Sequence, residues 1–312
     1  MRNQVLIVAG PTAVGKTEAA IRLANRFDGE IISADSMQIY KYMDIGSAKP
    51  TPEEQSRAVH HLVDAVDPSV PFSVAEYQTL AKEAIRDVLS RGKLPIISGG
   101  TGLYVNSLIY DMDFSSPPGD PAYRRELEEL AQREGSEALH RLLAEKDPAA
   151  ARRIHPNNEK KIVRALEILR EGQDRVKEFS ESFQPTKDYD VILIGLERPR
   201  QDLYDRINRR VDLLMERGLV EEVQRLLDMG LQEANISMKG IGYKEIIGYL
   251  RGEYGREEAV DLVKKNTRHY AKRQLTWFRR YETMRWFSLS GGLSAERNLE
   301  PVFAFVREEL AR

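Results

Sequence analysis

The sequence contains no cysteine and only two tryptophans among its 312 residues. The lack of cysteine excludes disulfide bonds, cysteine-ligated zinc, iron–sulfur clusters and thiol nucleophiles, and it suits a reducing cytosol. No apolar run approaches the roughly 18 residues that cross a bilayer. The apolar start of the chain is too short for a signal peptide. We therefore expect a soluble, cytoplasmic protein that does not enter a membrane.

An excess of charge of one sign is also lacking. The 47 Lys and Arg residues nearly balance the 49 Asp and Glu residues, and the net charge is −2. A chain that is basic throughout is thus excluded, although a local basic region is not. Hydrophobic residues make up 41% of the chain, which is enough for a packed core and too much for a disordered chain.

Short apolar runs alternate with helical patterns along the chain. The runs that predict buried strands are 4–9, 30–34, 94–98 and 191–196. Apolar residues at helical spacing mark 16–27 and 73–91 between the first three runs. Strands that alternate with helices predict βαβ units and a parallel sheet.

A charged, helix-like stretch separates the third and fourth predicted strands. It covers residues 121–182 and follows a linker-like segment at 113–120. Helix breaks are expected at Gly135, Pro148, Pro156 and Gly172. We interpret the stretch as a helical insertion domain, with domain boundaries 1–115, 116–187 and 188–312. Two long helices, at 201–229 and 256–281, are expected to pack on the core.

The strongest motif follows the first predicted strand and opens a helix. It reads Gly10, Pro11, Thr12, Ala13, Val14, Gly15, Lys16, Thr17 and matches the phosphate-binding P-loop at every fixed position. Its glycines let backbone N–H groups surround phosphate oxygens, and the helix N-terminus adds positive charge. Lys16 supplies a mobile cation, and the Thr17 hydroxyl can bind Mg²⁺. The loop recognises a diphosphate and is not specific for ATP; a glycine-rich turn that binds nothing is the alternative.

One part of an ATPase is missing. An ordinary P-loop ATPase has an apolar strand that ends in an aspartate of the magnesium shell. Here the run 94–98 ends in Ser98 and is followed by two glycines, and the run 191–196 is followed by Glu197, which is a weak substitute. The sequence therefore argues against a motor or a standard ATP hydrolase.

Two further polar residues follow predicted strands. Asp35 comes directly after 30–34, and Thr101 lies in the glycine-rich segment after 94–98. Ligands of open α/β sheets bind at the carboxyl edge of the strands. Asp35 there suits a general base or an indirect magnesium ligand, and Thr101 suits a substrate contact. The alternatives are a turn residue for Asp35 and a helix cap for Thr101.

The segment 264–285 is basic and aromatic. It holds eight Lys and Arg residues against Glu282 alone, so its charge is 8 − 1 = +7 and the rest of the chain carries −2 − 7 = −9. Tyr270, Trp277, Phe278 and Tyr281 are interleaved with the cations. Such a segment favours single-stranded RNA, because aromatic rings stack on bases while cations hold phosphates. The alternative is a solvated helix whose aromatic residues face the core. The five histidines are interpreted as structural.

Several long motifs resemble the tRNA dimethylallyltransferases, also called tRNA isopentenyltransferases. They are GPTAVGKT (10–17), DSMQIYKYMDIGSAKP (35–50), HHLVD (60–64), SGGTGLY (98–104), IHPNNEKKIVRALEI (154–168), GIGYKE (240–245) and AKRQLTWFRR (271–280). The resemblance covers nearly the whole length. It implies a P-loop NTPase-like α/β fold with a parallel sheet flanked by helices. It also implies transfer of a dimethylallyl group from dimethylallyl diphosphate to N6 of the adenosine immediately 3′ of the tRNA anticodon.

The resemblance also implies roles for individual residues. Lys16, Thr17 and the rest of the P-loop would hold the diphosphate together with Arg210, with Thr17 as a ligand of Mg²⁺. Asp35 would be the general base, and Thr101 would contact the target nucleotide. The anticodon stem-loop would be bound by Asp35, Ser36, Met37, Gln38, Thr101, Arg124, Lys160, Lys161, Arg164, Lys239, Gly242, Tyr243, Lys244, Lys272, Arg273, Gln274, Trp277 and Arg279. No obligate protein partner is evident, and a monomer is expected.

Two other functions are compatible with parts of the sequence. A small-molecule or nucleoside kinase would use the same P-loop on ATP, but the basic segment and the missing aspartate weigh against it. A non-catalytic RNA-binding protein would use the P-loop only as a switch. Asp35 and Thr101 at one sheet edge argue against that second alternative.

Overall fold

The computed structural model describes residues 3–112, 114, 120–176, 178, 183–290 and 295–312. Most of the linker-like segment 113–120 lies outside these residues. The chain forms two compact units, one made of residues 1–109 and 186–312 and the other of residues 110–185. The insertion boundaries expected from the sequence, 116 and 187, differ from these by a few residues.

A parallel sheet of six strands is the centre of the first unit in the described part of the chain. The strands are β1 (Gln4–Ala9), β2 (Gly29–Ala34), β3 (His60–His61), β4 (Leu94–Gly99), β5 (Asp190–Glu197) and β6 (Arg285–Ser288). Their order across the sheet is β3-β2-β4-β1-β5-β6, and every pair is parallel. The predicted α/β class and the four predicted strands are confirmed.

Helices cover this sheet. In the first unit they are α1 (Lys16–Phe27), α2 (Pro52–Arg57), α3 (Val74–Ser90), α4 (Gly102–Ile109), α9 (Arg200–Glu216), α10 (Leu219–Asp228), α11 (Tyr243–Leu250), α12 (Arg256–Phe278) and α13 (Ala295–Leu310). The central strands are buried from both sides, because Leu6 and Ile7 of β1 and Ile96 and Ile97 of β4 have no exposed surface. Near-continuous apolar runs are typical of parallel strands that are covered on both faces.

The second unit is helical among its described residues. Its helices are α5 (Pro121–Glu134), α6 (Ser136–Lys146), α7 (Pro148–Arg153) and α8 (Glu159–Arg170). The unit has its own apolar cluster, with Leu139, Leu143, Ile162 and Leu166 fully buried. The predicted breaks are confirmed, because Gly135 and Pro156 lie between helices, Gly172 lies just beyond α8, and Pro148 is the first residue of α7.

One prediction about an individual element is wrong, and two strands were not predicted. The single helix expected at 201–229 is two helices, because Gly218 adopts a left-handed conformation with φ 95° between them. The strands β3 and β6 were not expected from the sequence. Both are short and carry polar or charged residues, so they lack the apolar run that marks a buried strand, and they lie at the two edges of the sheet.

The register of three adjacent strands creates the edge at which a ligand can bind. Ala9 of β1 and Ala34 of β2 both pair with Gly99 of β4. The loops that follow these strands therefore start side by side. The described residues include no helix that is long and apolar enough to pass through a bilayer.

We expect Gly99→Ala to destabilise the protein by about 1–3 kcal/mol, since a Cβ at this position would overlap the carbonyl oxygen of Ala34. Urea unfolding followed by circular dichroism measures the change. Gly255→Ala is the matched control, because a Cβ there meets no atom within 4 Å. Equal unfolding midpoints for the two variants would contradict the close packing of β2 against β4.

Candidate active site

The P-loop between β1 and α1 is held by cationic side chains. Lys16 Nζ donates to the carbonyl oxygen of Pro11 at 2.8 Å. From the segment after β5, Arg206 Nε donates to the carbonyl of Ala13 at 2.9 Å and Arg198 Nε to that of Val14 at 2.8 Å. Three positive charges thus fix the loop at carbonyl oxygens, and they add to the positive end of α1.

Left-handed backbone conformations shape the same loop. Gly15 has φ 113° and Ala13 has φ 62°. A non-glycine residue with positive φ is uncommon and costs free energy. The hydrogen bond from Arg206 to the carbonyl of Ala13 stabilises this turn. The turn of the P-loop is therefore fixed both by its backbone conformation and by this side chain.

Three of the four predicted catalytic residues, Lys16, Asp35 and Arg210, line a single cavity, here called the P-loop cavity. Thr17 and Ser98 also contribute to its wall, whereas Thr101 is not among the residues that line it. The sequence separates these residues by almost 200 positions. The structure brings them together because β1, β2 and β4 end at one edge of the sheet, while α9 carries Arg210 over it.

Asp35 is part of a turn at the end of β2. Its Oδ1 accepts hydrogen bonds from the backbone N–H of Met37 at 2.9 Å and of Gln38 at 3.4 Å. The alternative that Asp35 is a turn residue is therefore correct for one of its two carboxylate oxygens. Oδ2 takes no part in this turn, and Asp35 lines the cavity. One carboxylate thus has a structural role and a position suited to acid–base chemistry.

Thr101 connects the glycine-rich segment to the turn of Asp35. Its Oγ1 accepts a hydrogen bond from the backbone N–H of Ser36 at 3.0 Å and lies 3.3 Å from Ser36 Oγ. The Thr101 N–H donates to the carbonyl of Ala34 at 3.2 Å. Thr101 therefore fixes the backbone beside Asp35.

Burial changes the electrostatics of the two cavity cations. It lowers the pKa of Lys16 to about 8; the charge of Asp35 opposes this shift, and the charge of Arg210 adds to it. Burial also lowers the pKa of the Arg210 guanidinium, again against the effect of Asp35. Two partly buried cations near one carboxylate leave excess positive charge, so the cavity favours an anionic ligand.

The structure adds Tyr270 to the site, although the sequence suggested only a stacking role for it. Tyr270 lines the cavity beside Asp35. Burial raises the pKa of its hydroxyl to about 12, and the charge of Asp35 contributes; contacts with Thr101 and Gln274 oppose the shift. Arg206 is a second residue that the sequence analysis missed. Its signal was available, since Arg206 and Arg210 are four residues apart on one helix face.

Gln274 differs from its predicted role as an RNA contact. Its side chain is 5% exposed. Its Oε1 accepts from the N–H of Thr12 at 2.8 Å, and its Nε2 donates to the carbonyl of Gly100 at 2.9 Å. Gln274 therefore joins the P-loop to the glycine-rich segment inside the protein.

The aromatic residues of the basic segment mostly face the protein. Phe278 has no exposed surface and Tyr281 is 7% exposed. Trp277 Nε1 donates to Asn106 Oδ1 at 3.3 Å, and its ring leaves no room for a Cβ at Gly102. The alternative in which the aromatic residues face the core is therefore correct for Phe278 and Tyr281.

The cations of the same segment lie outside. Lys272, Arg273 and Arg279 are exposed, and Arg279 forms a 3.4 Å ion pair with Glu197 at the end of β5. Glu197 therefore pairs with a cation and is not among the residues that line the P-loop cavity. The segment presents positive charge to solvent on one side and packs on the site with the other.

The segment before α11 contains the next group of predicted RNA contacts. Lys239 and Lys244 are exposed, and together with Gly242 they line a larger cavity of about 410 Å³. This cavity shares Asp35 with the P-loop cavity, and its volume suits an organic ligand. Tyr243 has no exposed surface, so its side chain is not at the surface that the sequence analysis assigned to RNA.

The remaining predicted contacts belong to the helical unit. Lys160 and Lys161 are exposed at the start of α8. Arg124 makes a bidentate ion pair with the buried Glu167 at 2.7 and 2.8 Å, and Arg164 lies 3.4 Å from the same carboxylate. The two arginines are 49% and 40% exposed, so each has a structural partner and still reaches solvent.

The described residues of the cavity do not form a magnesium site from protein carboxylates alone. No group of three His, Cys, Asp or Glu residues that could hold a metal occurs among the described positions. Thr17 and Asp35 line the same cavity. A hydroxyl and one carboxylate suit Mg²⁺, which keeps several waters and takes its other ligands from substrate phosphates. The residues therefore fit a magnesium ion that arrives with a diphosphate.

The comparison with protein families supplies the deciding observation. The family model described as IPP transferase matches residues 38–281. The chain belongs to the IPP transferase family. It is 53% identical over 300 residues to the tRNA dimethylallyltransferase of Alkaliphilus oremlandii, with 96% of each chain covered. It is 46% identical to the protein of that name from Clostridioides difficile, with 98% of each chain covered.

Solved structures agree with this family membership and confirm the predicted P-loop-like fold. The full-length tRNA isopentenylpyrophosphate transferase of Bacillus halodurans is 43% identical, with a TM-score of 0.75 over 99% of this chain and 97% of that one. A eukaryotic dimethylallyltransferase that acts on tRNA has a TM-score of 0.81 at 28% identity, over 98% of this chain and 80% of that one. The IPP transferase fold therefore extends over both units.

The pKa of Lys16 predicts how diphosphate binding depends on pH in this IPP transferase. Below about pH 8 Lys16 is charged in the free protein. Above that pH it must take up a proton when the anion binds, because a nearby anion raises the pKa of an amine. We therefore expect affinity for inorganic diphosphate to fall as the pH rises through 8.

Calorimetry at pH 9 in two buffers of different ionisation enthalpy measures this proton uptake. The Lys16→Met variant is the control, since it retains only the proton exchange of the diphosphate itself. Equal proton uptake by both proteins would show that Lys16 stays charged at pH 9.

Proposed function

We propose that this IPP transferase moves a dimethylallyl group from dimethylallyl diphosphate to N6 of the adenosine immediately 3′ of a tRNA anticodon. The observation that carries the proposal is the single cavity lined by the P-loop, Arg210 and Asp35. This cavity contains positive charge that can bind a diphosphate leaving group. It also contains a carboxylate that can accept a proton. The names of the related enzymes support the same substrates.

The reaction requires both features. An adenine amino group is a poor nucleophile, since its lone pair is delocalised into the ring. The N6 atom forms a bond to the allylic carbon while the bond from that carbon to the diphosphate oxygen breaks. The diphosphate leaves with the bonding electron pair, and the proton lost from N6 passes to Asp35 as general base.

Negative charge grows on the diphosphate oxygens as the bond breaks. Lys16, Arg210 and the P-loop line the cavity that would hold these oxygens, so they would stabilise the charge as it develops. Thr17 would hold Mg²⁺, which would add further positive charge to the diphosphate when it is bound. The allylic carbon shares positive charge with its double bond, so the protein does not need a covalent intermediate.

The anticodon stem-loop fits the distribution of charge on the surface. An adenosine has to leave its stack to reach Asp35. The lining of the larger cavity beside Asp35 includes Lys239, Lys244 and Arg273, which suits the phosphates of a splayed loop. We expect the enzyme to act in the cytoplasm, where its tRNA substrate is found.

A kinase remains the second candidate class, and two observations weigh against it. Strand β4 lies between β1 and β2 and ends in Ser98 and Gly99, so the strand beside the P-loop does not end in an aspartate. The related proteins are named as transferases that act on tRNA. Labelled dimethylallyl diphosphate, ATP and unmodified tRNA in one incubation separate the classes, since a kinase would form ADP.

Replacement of Asp35 tests its role as the base. Asp35→Asn retains an oxygen that can accept from Met37 and Gln38, so the turn survives while the base is lost. We expect single-turnover transfer to fall by ~10²–10⁴-fold and tRNA affinity to stay near wild type. Asp35→Ala removes both functions and is the comparison. A near wild-type single-turnover rate for Asp35→Asn would remove Asp35 from the mechanism.

The exposed cations of α12 predict a salt effect. Lys272→Ala should weaken tRNA binding and reduce the slope of log affinity against log salt by about one, because one phosphate contact is lost. Arg26→Ala is the matched control, since Arg26 is also exposed but lies at the end of α1 remote from the P-loop. Filter binding over a range of salt concentrations measures both slopes. Equal slopes for Lys272→Ala and wild type would exclude this phosphate contact.

A further inference from the structure

One wall of the P-loop cavity is a loop that includes Asp44 to Ala48, here called the 44–48 loop. Its Ser47 lines both the P-loop cavity and the larger cavity. We propose that Glu222 and Tyr243, two buried residues remote from the reacting atoms, position this loop and through it Arg210 for diphosphate binding. The proposal rests on the proposed function, in which Arg210 binds the diphosphate of the prenyl donor.

Glu222 holds the loop through three successive backbone amides. It is 1% exposed and belongs to α10. Its Oε2 accepts from the N–H of Asp44 and of Ile45, both at 2.8 Å, and its Oε1 accepts from the N–H of Gly46 at 2.9 Å. Three donors on one carboxylate fix the orientation of three consecutive peptide groups, because hydrogen bonds to a charged acceptor are short and strong.

Tyr243 completes this arrangement from α11. Its side chain has no exposed surface. Its hydroxyl donates to Glu222 Oε1 at 2.9 Å and accepts from the N–H of Ser47 at 3.0 Å. A Cβ at Gly46 would lie 2.5 Å from the Tyr243 ring, so the loop packs directly on the ring. Four successive amides, 44–47, thus end on two side chains that are hydrogen-bonded to each other.

The last residue of the loop, Ala48, connects it to side chains of the ligand site. The carbonyl oxygen of Ala48 accepts from Arg210 Nη2 at 3.2 Å and from Gln38 Nε2 at 3.2 Å. Arg210 and Gln38 both line the P-loop cavity. Ala48 has φ 48°, a conformation that a non-glycine residue adopts only when its surroundings impose it. Displacement of the loop would therefore move the guanidinium that faces the diphosphate.

The charge of Glu222 argues for a positioning role rather than for stability alone. Its cationic neighbour Arg225 is 57% exposed and stands 4.0 Å away. A buried carboxylate with such a distant partner contributes less to stability than an apolar side chain of similar volume. What an apolar residue cannot do is accept three N–H groups from one loop. The geometry therefore assigns Glu222 to the conformation of the 44–48 loop.

The test compares Tyr243→Phe and Glu222→Gln with a matched control. Tyr243→Phe deletes one oxygen and leaves the ring packing. Glu222→Gln retains the size but presents an amide NH₂ to backbone donors. The control is Tyr189→Phe, which also loses a buried hydroxyl, one that donates to the carbonyl of Leu108 at 2.8 Å. The carbonyl that it meets belongs to α4 and not to the 44–48 loop.

The main readout is the Kd for inorganic diphosphate with Mg²⁺, measured by calorimetry far below the unfolding temperature. There a merely structural loss leaves the folded protein and its affinity unchanged. We expect Tyr243→Phe to raise this Kd by about 10-fold and Glu222→Gln by more, since small misplacements of a binding group have large effects. The KM for the prenyl donor should rise with the Kd. Tyr189→Phe should match wild type in both constants.

A Kd within twofold of wild type for Tyr243→Phe would overturn the proposal, whatever happens to its unfolding temperature. If Glu222→Gln does not fold, Tyr243→Phe still decides the question. Failure of the proposed function is visible separately, because the wild-type protein would then bind diphosphate without forming prenylated tRNA. The affinity comparison among the variants keeps its meaning in that case.

Discussion

The site depends on the electrostatic balance among Lys16, Arg210 and Asp35. Each charge is partly or wholly removed from water, and the carboxylate opposes the loss of charge that burial imposes on both cations. Removal of any one of them would change the protonation or position of the others. The carboxylate that suits a general base therefore also maintains the anion site. Substrate binding and proton transfer depend on the same three side chains.

The register of the strands brings these three side chains together from separate elements of the fold. β1, β2 and β4 end at the same level, because Ala9 and Ala34 both pair with Gly99. Each strand then turns into a loop that contributes to the cavity. α9 supplies Arg206 and Arg210 to this edge, where they meet the P-loop and the carbonyl of Ala48. The sheet thus fixes distances among residues that no local sequence pattern connects.

Much of the fold could be predicted from local patterns. The four apolar strands and the P-loop are visible because burial and phosphate binding both require particular residues at particular spacings. The edge strands β3 and β6 could not be predicted, since they are only two and four residues long and contain no continuous apolar run. Likewise, Gly218 divides α9 from α10 through a backbone conformation that the helical pattern on either side conceals.

The residues of the site also differ in how far the sequence alone predicts their roles. Lys16, Thr17 and Asp35 follow strands and carry chemistry that a motif indicates. Glu222 and Tyr243 are buried in helices, where their residue types look like ordinary surface and core positions until the fold shows which loop they meet. The roles of Gln274 and Phe278 depend on which face of α12 packs inward, and a segment rich in both cations and aromatic rings leaves that choice open.

The contacts of Gln274 limit how α12 can vary. Gln274 meets Thr12 and Gly100 on the face of the helix that also seats Trp277 against Gly102. An inserted or deleted residue between Tyr270 and Phe278 would rotate the following turn by about 100°. The side chains on the inner face of α12 would then point to solvent, and cations from its outer face would enter the core. Changes of length in this helix are therefore tolerable only outside that stretch, whereas substitutions on its outer face are free to adjust to different RNA partners.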